Sequence, residues 1–243
     1  MNWALQPTLY AARLRRNARW LWEDMLQSLY GPRCPLTGVA LPLHALPLGA
    51  EAWAALPSTL HHLHTGPNEL TRRLDPALFH AAYAGYAYHR GATQQLVHLL
   101  KFEGQPELGQ LAARRWGHQL RQAGILGPAD VLVPLPLHWF RRWGRGYNQA
   151  EIIAQGLAEA TGARVASHAL HRTRHTRQQS RLNAEDRKRN VQGAFTVGQL
   201  PACGRIWLVD DVITTGSTLT QAAKALQETG APWVGCLALA MAE

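Results

Sequence analysis

Residues 206–219 read IWLVDDVITTGSTL, and this one stretch indicates an α/β fold. An apolar run typical of a strand leads into two adjacent acids and a turn rich in Thr, Gly and Ser, and a helical pattern follows over 217–229. A turn at a helix N-terminus offers unpaired backbone N–H groups, and Gly216 allows the close backbone approach that a phosphate monoester requires. The turn is therefore predicted to bind a phosphate, with hydroxyl donors from Thr214, Thr215, Ser217 and Thr218.

The two acids, Asp210 and Asp211, end the strand just before this turn. Successive side chains of a strand point to opposite sides, so the pair presents two acceptors that are suited to the vicinal hydroxyls of a ribose. Sugar and phosphate are expected to be held together. The alternative is structural: the acids merely end a strand, and Ser217 and Thr218 help to begin a helix.

Outside this stretch, apolar runs typical of strands alternate with helical patterns. Such alternation predicts an open, mainly parallel sheet with flanking helices, in which ligands collect at the carboxyl ends of the strands. An aromatic alternation at Tyr83, Tyr86 and Tyr88 suggests a short hairpin. The predicted strands are 130–134, 164–170, 205–210 and 233–240, and the predicted helices are 91–102, 106–123, 147–161 and 217–229.

The strand, the acid pair and the TTGST turn together resemble the phosphoribosyl pyrophosphate motif of type I phosphoribosyltransferases. Two further stretches, GRGYNQA at 144–150 and LHRTRHTRQQSRLNAEDRKRNVQGAF at 170–195, resemble signatures of the ComF/GntX family, which is associated with bacterial competence. With LKFEG at 100–104, the resemblance covers about residues 80–243. It implies a type I phosphoribosyltransferase-like fold, preceded by a helical and loop-rich N-terminal region.

The resemblance also implies roles for two loops. The loop after the strand 130–134 would hold pyrophosphate, and the matching residues are Arg145, Gly146, Asn148 and Gln149. From Arg172 to Arg189 there are seven Lys or Arg against two acids, a density that favours a mobile lid over an anionic substrate or, alternatively, a solvated surface loop. The family positions in this basic loop are Arg172, Thr176, Gln179, Leu182, Arg187, Asn190 and Phe195.

The region before residue 76 is predicted to be a separate N-terminal domain. Residues 8–30 have the spacing of an amphipathic helix, and residues 31–75 are rich in Pro and His with short apolar runs. Members of the family often carry a zinc module of paired CxxC motifs, but here Thr37 stands where the second cysteine is expected. The module is interpreted as degenerate, and zinc bound by Cys34 with His44, His61, His62 and His64 is not favoured over surface histidines.

Composition favours an anionic partner. A formal net charge of +9 suits phosphates or nucleic acid, whereas the three separated cysteines predict no disulfide framework. No signal peptide or transmembrane segment is recognised, so a cytoplasmic location is expected.

Two functions follow from these observations. The first is a phosphoribosyltransferase that binds phosphoribosyl pyrophosphate or a nucleoside monophosphate with Mg²⁺. That ion would be coordinated by substrate oxygens and waters. The second is an inactive fold that binds single-stranded DNA, or partners a competence helicase, with stacking on Trp139, Trp143 and Tyr147. The acceptor and the general base stay open: His138 and His175 are near the inferred cleft, but each is interpreted as a phosphate contact or a surface residue rather than as the base.

Overall fold

We describe the chain from a computed structural model that covers residues 31–41, 47–63, 66–89, 91–137, 146–172, 194–201 and 204–242. The chain divides into two compact units, Met1–Ala55 and Leu56–Glu243. The predicted helix over 8–30 lies outside the described residues. The predicted domain boundary at residue 75 stays a prediction.

The described part of the first unit contains a tight turn and a short helix. Arg33 and Ala40 form an antiparallel bridge, and the amide of Cys34 donates to the carbonyl of Val39 at 2.8 Å. The guanidinium of Arg33 closes the same turn by donating to the carbonyl of Gly38 at 3.0 Å. Helix α1, Ala50–Ala54, follows. Local hydrogen bonds thus hold the turn that carries Cys34, whose side chain is buried.

The second unit is built on a five-stranded, entirely parallel sheet in the order β1-β7-β6-β2-β3. The central strand, β6, carries the acid pair near its carboxyl end, as the alternation of strands and helices predicts. The strands β4 and β5 form a separate antiparallel pair, and along the chain they stand on either side of the predicted basic loop. The strands are β1 Ala81–Tyr88, β2 Asp130–Pro134, β3 Arg164–Val165, β4 Leu170–Arg172, β5 Phe195–Val197, β6 Arg205–Ile213 and β7 Val234–Ala242.

Two of the predicted strands differ in the structure. The tyrosine alternation is not a hairpin but one long strand, β1, which pairs in parallel with β7 from Ala81 to Tyr88. The period of two indicated a strand correctly, yet it carries no information about the partner strand. The apolar run 164–170 is split, because a turn closed by the amide of Ala169 on the carbonyl of Ala166, at 3.1 Å, separates β3 from β4.

The described part of the second unit contains five α-helices. The bounds of four of them agree with the four predicted helical patterns to within one or two residues. The remaining helix, Glu69–Arg73, lies in the stretch that was predicted to be loop-rich. The five helices are α2 Glu69–Arg73, α3 Ala92–Phe102, α4 Pro106–Gln122, α5 Gln149–Thr161 and α6 Ser217–Glu228. In the described part of the chain, no helix is both long and apolar enough to cross a membrane.

Helices cover both faces of the sheet. On one face α5 packs against α4, β2 and β6, and α4 and α5 approach so closely that a Cβ atom on Gly156 would lie 2.4 Å from the carbonyl oxygen of Gln110. On the other face α6 buries Leu219, Ala222, Ala223 and Leu226 in a core shared with Ile206 and Leu208 of β6. Burial of these apolar side chains on both faces supplies the main stabilisation of a parallel sheet.

At the amino ends of the strands, a charge pair between buried Asp130 and partly exposed Arg205 ties β2 to β6. The carboxylate of Asp130 accepts from Arg205 Nε at 2.6 Å and from Arg205 Nη2 at 2.8 Å. It also accepts from the indole of Trp207 at 3.2 Å and from the amide of Gly127 at 2.7 Å. These hydrogen bonds give the carboxylate of Asp130, which is fully shielded from solvent, the partners that a buried charge requires. The network lies at the opposite end of the sheet from the acid pair.

Candidate functional site

A cleft of about 380 Å³ opens at the carboxyl ends of β1, β2 and β6. Ligands of open parallel sheets bind at this edge, and the volume is within the usual range for small-molecule sites. The cleft brings together residues from both predicted ligand loops and from the strand ends. Its lining residues are Tyr88, Lys101, Leu135, Pro136, Leu137, Asn148, Gln149, Ala150, Arg172, Asp210, Asp211, Val212, Thr214 and Thr218.

The turn between β6 and α6 forms a smaller pocket of about 50 Å³, which shares Asp210, Thr214 and Thr218 with the cleft. Gly216 is the N-cap of α6 and has φ of 69°, in the left-handed region that glycine adopts most readily. The N–H groups in the first turn of α6 have no carbonyl partner within the helix. They are directed toward the N-terminal end of the helix, where this pocket lies. The pocket is lined by Asp210 and by residues 212–219, which include all four predicted hydroxyl side chains and Gly216.

A short segment from the start of the second unit supports this turn. Asn68 caps α2 by accepting from the amide of Thr71 at 2.9 Å, and its amide group donates to the carbonyl of Ala82 in β1 at 2.7 Å. Leu74 directly follows α2 and packs under Gly216. The segment thus anchors to the edge strand and forms the underside of the phosphate-type turn.

The acid pair lines the cleft with both carboxylates. Each carboxylate also accepts a backbone amide: that of Asp211 bonds Asp210 Oδ1 at 2.8 Å, and that of Val212 bonds Asp211 Oδ1 at 2.6 Å. Burial, and then the neighbouring charge of Asp211, raise the pKa of Asp210 to about 7. The oxygens of the two carboxylates can accept hydrogen bonds from two adjacent hydroxyls of a ligand in the cleft.

Lys101 reaches the acid pair from the last turn of α3. Its Nζ atom lies 3.0 Å from Asp211 Oδ1, and the exposed fractions of the two side chains are only 22% and 13%. The partly buried ammonium partly offsets the two negative charges, and it favours the ionised form of Asp210 against the effects of burial. The LKFEG stretch was quoted only for the family resemblance, so sequence analysis missed Lys101 as a site residue.

The turn before α5 forms the facing wall. Asn148 caps α5 by accepting from the amide of Ala150 at 3.2 Å, and its amide group donates to the carbonyl of Leu135 at 3.0 Å. Gln149 is fully buried at the cleft wall, whereas Gly146 is exposed with φ of 82°. The hydroxyl of Tyr147 donates to the carbonyl of Leu100, which links this turn to the end of α3.

The structure places the predicted site residues unevenly. Asp210, Asp211, Thr214 and Thr218 line the cleft together with Asn148, Gln149 and Arg172, and Thr215, Gly216 and Ser217 line the smaller pocket. Gly146 does not line either. The guanidinium of Arg172 lies 5.7 Å from the ring centre of Phe195 in the adjacent strand β5. Outside the described residues lie Arg145, Thr176, Gln179, Arg187 and Asn190, and also Leu182, His138, His175, Trp139 and Trp143.

The described residues contain no group of three or more His, Cys, Asp or Glu side chains placed to hold a metal ion. Among the described residues that line the cleft, Asp210 and Asp211 are the ones that carry carboxylates. Mg²⁺ commonly binds through one or two carboxylates together with substrate phosphates and water. The donors of the cleft therefore fit an Mg²⁺ ion that arrives with a phosphorylated substrate.

Comparison with known proteins gives three informative relatives. The chain is 35% identical over 154 residues to "Competence protein F" of Haemophilus influenzae, an alignment that covers 60% of this chain and 67% of that protein. It is 39% identical over 141 residues to "DNA utilization protein YhgH" of Escherichia coli K12, covering 56% and 61%. The match to "Competence protein ComFC" of Bacillus subtilis is 28% over 209 residues, covering 86% and 77%. No protein-family model matches the chain.

Proposed function

Because this chain belongs to the ComF family, as the resemblance in its sequence indicated, we propose that its cleft binds a ribose 5-phosphate ester with Mg²⁺. The ester would be phosphoribosyl pyrophosphate or a nucleoside monophosphate. One observation carries the proposal: a single cleft joins a carboxylate pair to a small hydroxyl-lined pocket at the N-terminus of α6. A phosphate in the small pocket would accept hydrogen bonds from the amides and hydroxyls there. At the same time, the ribose hydroxyls would donate hydrogen bonds to the two carboxylates.

In this proposal each described residue has a binding task. Backbone amides of the first turn of α6 and the hydroxyls of Thr214 and Thr218 hold the 5′-phosphate. Asp210 and Asp211 accept hydrogen bonds from the 2′- and 3′-hydroxyls. Asn148 and Gln149 form the wall against which the group on C1 rests. Mg²⁺, when bound, would neutralise charge on the phosphate oxygens of the substrate.

The reaction proposed for such a complex is displacement at C1 of the ribose. The bond from C1 to the pyrophosphate oxygen breaks, a bond from C1 to a nitrogen nucleophile forms, and the nucleophile gives up its proton. The residues of the cleft contribute by fixing the ribose at both ends while charge develops between C1 and the leaving group. Asp210, with its pKa of about 7, is a group of the cleft that can exchange a proton near neutral pH.

We further propose that the chain serves competence and DNA uptake. The names of the relatives in Haemophilus influenzae and Bacillus subtilis refer to competence, and the Escherichia coli name refers to DNA utilization. A net charge of +9 supports electrostatic attraction to a polyanion. The chain spans less than two thirds of the Escherichia coli relative, so the activity of that whole protein is not carried over.

The test is a calorimetric titration of the purified chain with phosphoribosyl pyrophosphate and Mg²⁺. We expect saturable binding by the wild type and a loss of at least about 100-fold in affinity for the Asp210→Asn, Asp211→Asn double variant, because two hydroxyl acceptors lose their charge. Glu159→Gln and Glu228→Gln together are a matched control, since both remove charge from exposed or half-exposed helix positions.

A second titration separates the two functional hypotheses. If neither the wild type nor the double variant binds phosphoribosyl pyrophosphate, while both bind single-stranded DNA with a steep salt dependence, the ribose phosphate site is wrong. Saturable binding of the sugar phosphate with weak DNA binding supports the proposal.

A further inference from the structure

Lys101 occupies a distinctive position between the acid pair and the turn before α5. Its ammonium lies 3.0 Å from Asp211 Oδ1, and its side chain is 22% exposed, so most of the charge is withdrawn from solvent but the tip still lines the cleft. The preceding residue, Leu100, accepts a hydrogen bond from Tyr147. The backbone that carries Lys101 is thereby tied to the wall of the cleft that follows β2.

The two parts of the site differ in charge. The smaller pocket at the α6 turn is lined by neutral hydroxyls, backbone and Asp210, with no basic side chain among its described residues. The larger cleft adds Lys101 and Arg172 to its lining. A phosphate can bind in the smaller pocket through backbone amides and hydroxyls alone. Among the described residues, a second anionic group of a ligand would therefore meet basic side chains only in the larger cleft.

An anionic group at that second position would lie near two carboxylates. A diphosphate beside Asp210 and Asp211 is repelled unless a cation lies between them, because like charges at close range in a partly dry cleft cost free energy. An ammonium has three N–H donors, and the geometry of Lys101 commits one of them to Asp211. The ammonium has two further donors, and Lys101 lines the cleft in which a ligand would bind.

We propose that Lys101 is a specificity-determining residue that selects a ribose 5-phosphate carrying a diphosphate on C1 over one that carries none. Its ammonium bridges Asp211 and the diphosphate oxygens, so that the acid pair can hold the ribose without repelling the group on C1. The inference rests on the proposed function, since it assumes that the ribose lies at the acid pair. It adds Lys101, on a different element, to the loop residues that the family resemblance assigns to pyrophosphate.

A purely structural role for Lys101 makes a different prediction. If the lysine only holds Asp211 in place, its removal disturbs the ribose position and weakens every ribose 5-phosphate ligand equally. If it contacts the diphosphate, its removal weakens only the ligand that carries one. Phosphoribosyl pyrophosphate and ribose 5-phosphate share the sugar and the 5′-phosphate, and this pair of probes therefore separates the two roles.

The experiment compares the dissociation constants of both probes, in Mg²⁺, for the wild type and for Lys101→Gln. The glutamine amide can still donate to Asp211 but carries no charge. We expect the dissociation constant of phosphoribosyl pyrophosphate to rise about 10- to 100-fold, as for loss of one charge-assisted hydrogen bond, and that of ribose 5-phosphate to change less than about threefold. Lys101→Arg restores most of the affinity, and Lys224→Gln, at an exposed position of α6, changes neither constant.

The outcomes are distinct. Equal weakening of both probes, or no weakening of either, overturns the role of Lys101 while leaving the ribose phosphate site standing. Failure of the wild type to bind either probe overturns the proposed function itself. If thermal unfolding shows that Lys101→Gln is poorly folded, Lys101→Met, which keeps most of the apolar stem without the ammonium, is measured against the same two probes, and the same selective loss is expected.

Discussion

The Cδ2 atom of Leu74 lies 2.5 Å from the position that a Cβ atom on Gly216 would take. Gly216 has φ of 69°, so any other residue there meets both an unfavourable backbone conformation and a collision with the side chain beneath it. The phosphate-type turn is thus held from below by a side chain that is distant in the sequence.

Gly216→Ala is expected to destabilise the fold and to weaken ligand binding at the α6 turn. The left-handed backbone costs about 1 kcal/mol, and the collision adds about 1–3 kcal/mol. Gly230→Ala is the matched control, because Gly230 has φ of 83° but open space around its Cα atom. Urea unfolding of both variants should show the larger loss for Gly216→Ala. Equal losses would mean that the contact with Leu74 imposes no constraint.

Asp210 gives the stability of the fold a specific pH dependence. Its pKa of about 7 in the folded chain lies above the value of about 4 expected for an unfolded aspartate. Between these values the folded state holds a proton that the unfolded state has released, so this group lowers the free energy of unfolding as pH rises from about 4 to about 7. Above pH 7 its contribution is constant.

Asp210→Asn should therefore raise the melting temperature at pH 8 and should flatten its decrease between pH 5 and pH 7. Scanning calorimetry at pH 5, 6, 7 and 8 on the wild type and the variant checks this directly. Parallel curves for the two proteins would contradict the assignment of the raised pKa to Asp210.

Arg205→Met tests the charge pair at the other end of the sheet. The change leaves the carboxylate of Asp130 buried with its bonds to Trp207 and Gly127 but without its cation. Because the Arg205 side chain is itself 40% exposed, we expect a loss of about 2–3 kcal/mol, at the low end for a broken buried pair. Chemical denaturation measures it.

The Arg205→Met, Asp130→Asn double variant should lose less stability than the two single variants added together, since neither charge is left without its partner. The affinity for ribose 5-phosphate should stay within about twofold of the wild type in all three variants, because the pair lies at the amino ends of the strands. A large loss of affinity would show that the two ends of the sheet are coupled.

Tyr147→Phe tests the link between α3 and the turn before α5. Loss of the hydroxyl leaves the Leu100 carbonyl, one of the last in α3, without this donor, so we expect a loss of about 1 kcal/mol in stability and weaker binding of phosphoribosyl pyrophosphate. If Tyr147 instead acts by stacking on bases, Tyr147→Phe should leave binding of single-stranded DNA unchanged and Tyr147→Ala should reduce it. Isothermal titrations with both ligands separate these roles.

Local sequence was sufficient to predict β6, the turn that follows it and α6, because strand, turn and helix are adjacent in the chain and each has its own pattern. The resemblance to a family also indicated Asn148 and Gln149, which line the cleft, and their role in holding pyrophosphate stays a prediction. Local sequence was insufficient for Lys101 and Tyr88, which reach the cleft only because α3 ends beside Asp211 and β1 ends at the same edge of the sheet.

The stretch from Leu56 to Asp75 shows a second limit. Its irregular composition predicted a loop-rich junction, and nothing in its pattern indicates that Asn68 bonds to β1 or that Leu74 supports Gly216. Both contacts join residues far apart in the chain, and hydrophobic periodicity does not report on such pairs. The tyrosine alternation failed for the same reason, since pairing of β1 with β7 spans most of the domain.

The position of a bound ribose 5-phosphate is measured most directly by a crystal structure of the chain with ribose 5-phosphate and Mg²⁺. We predict that the phosphate oxygens accept hydrogen bonds from the backbone amides and hydroxyls of residues 214–218, while the 2′- and 3′-hydroxyls donate to Asp210 and Asp211. A ligand bound elsewhere on the chain, or a phosphate at the basic side chains with the α6 turn empty, would contradict the account.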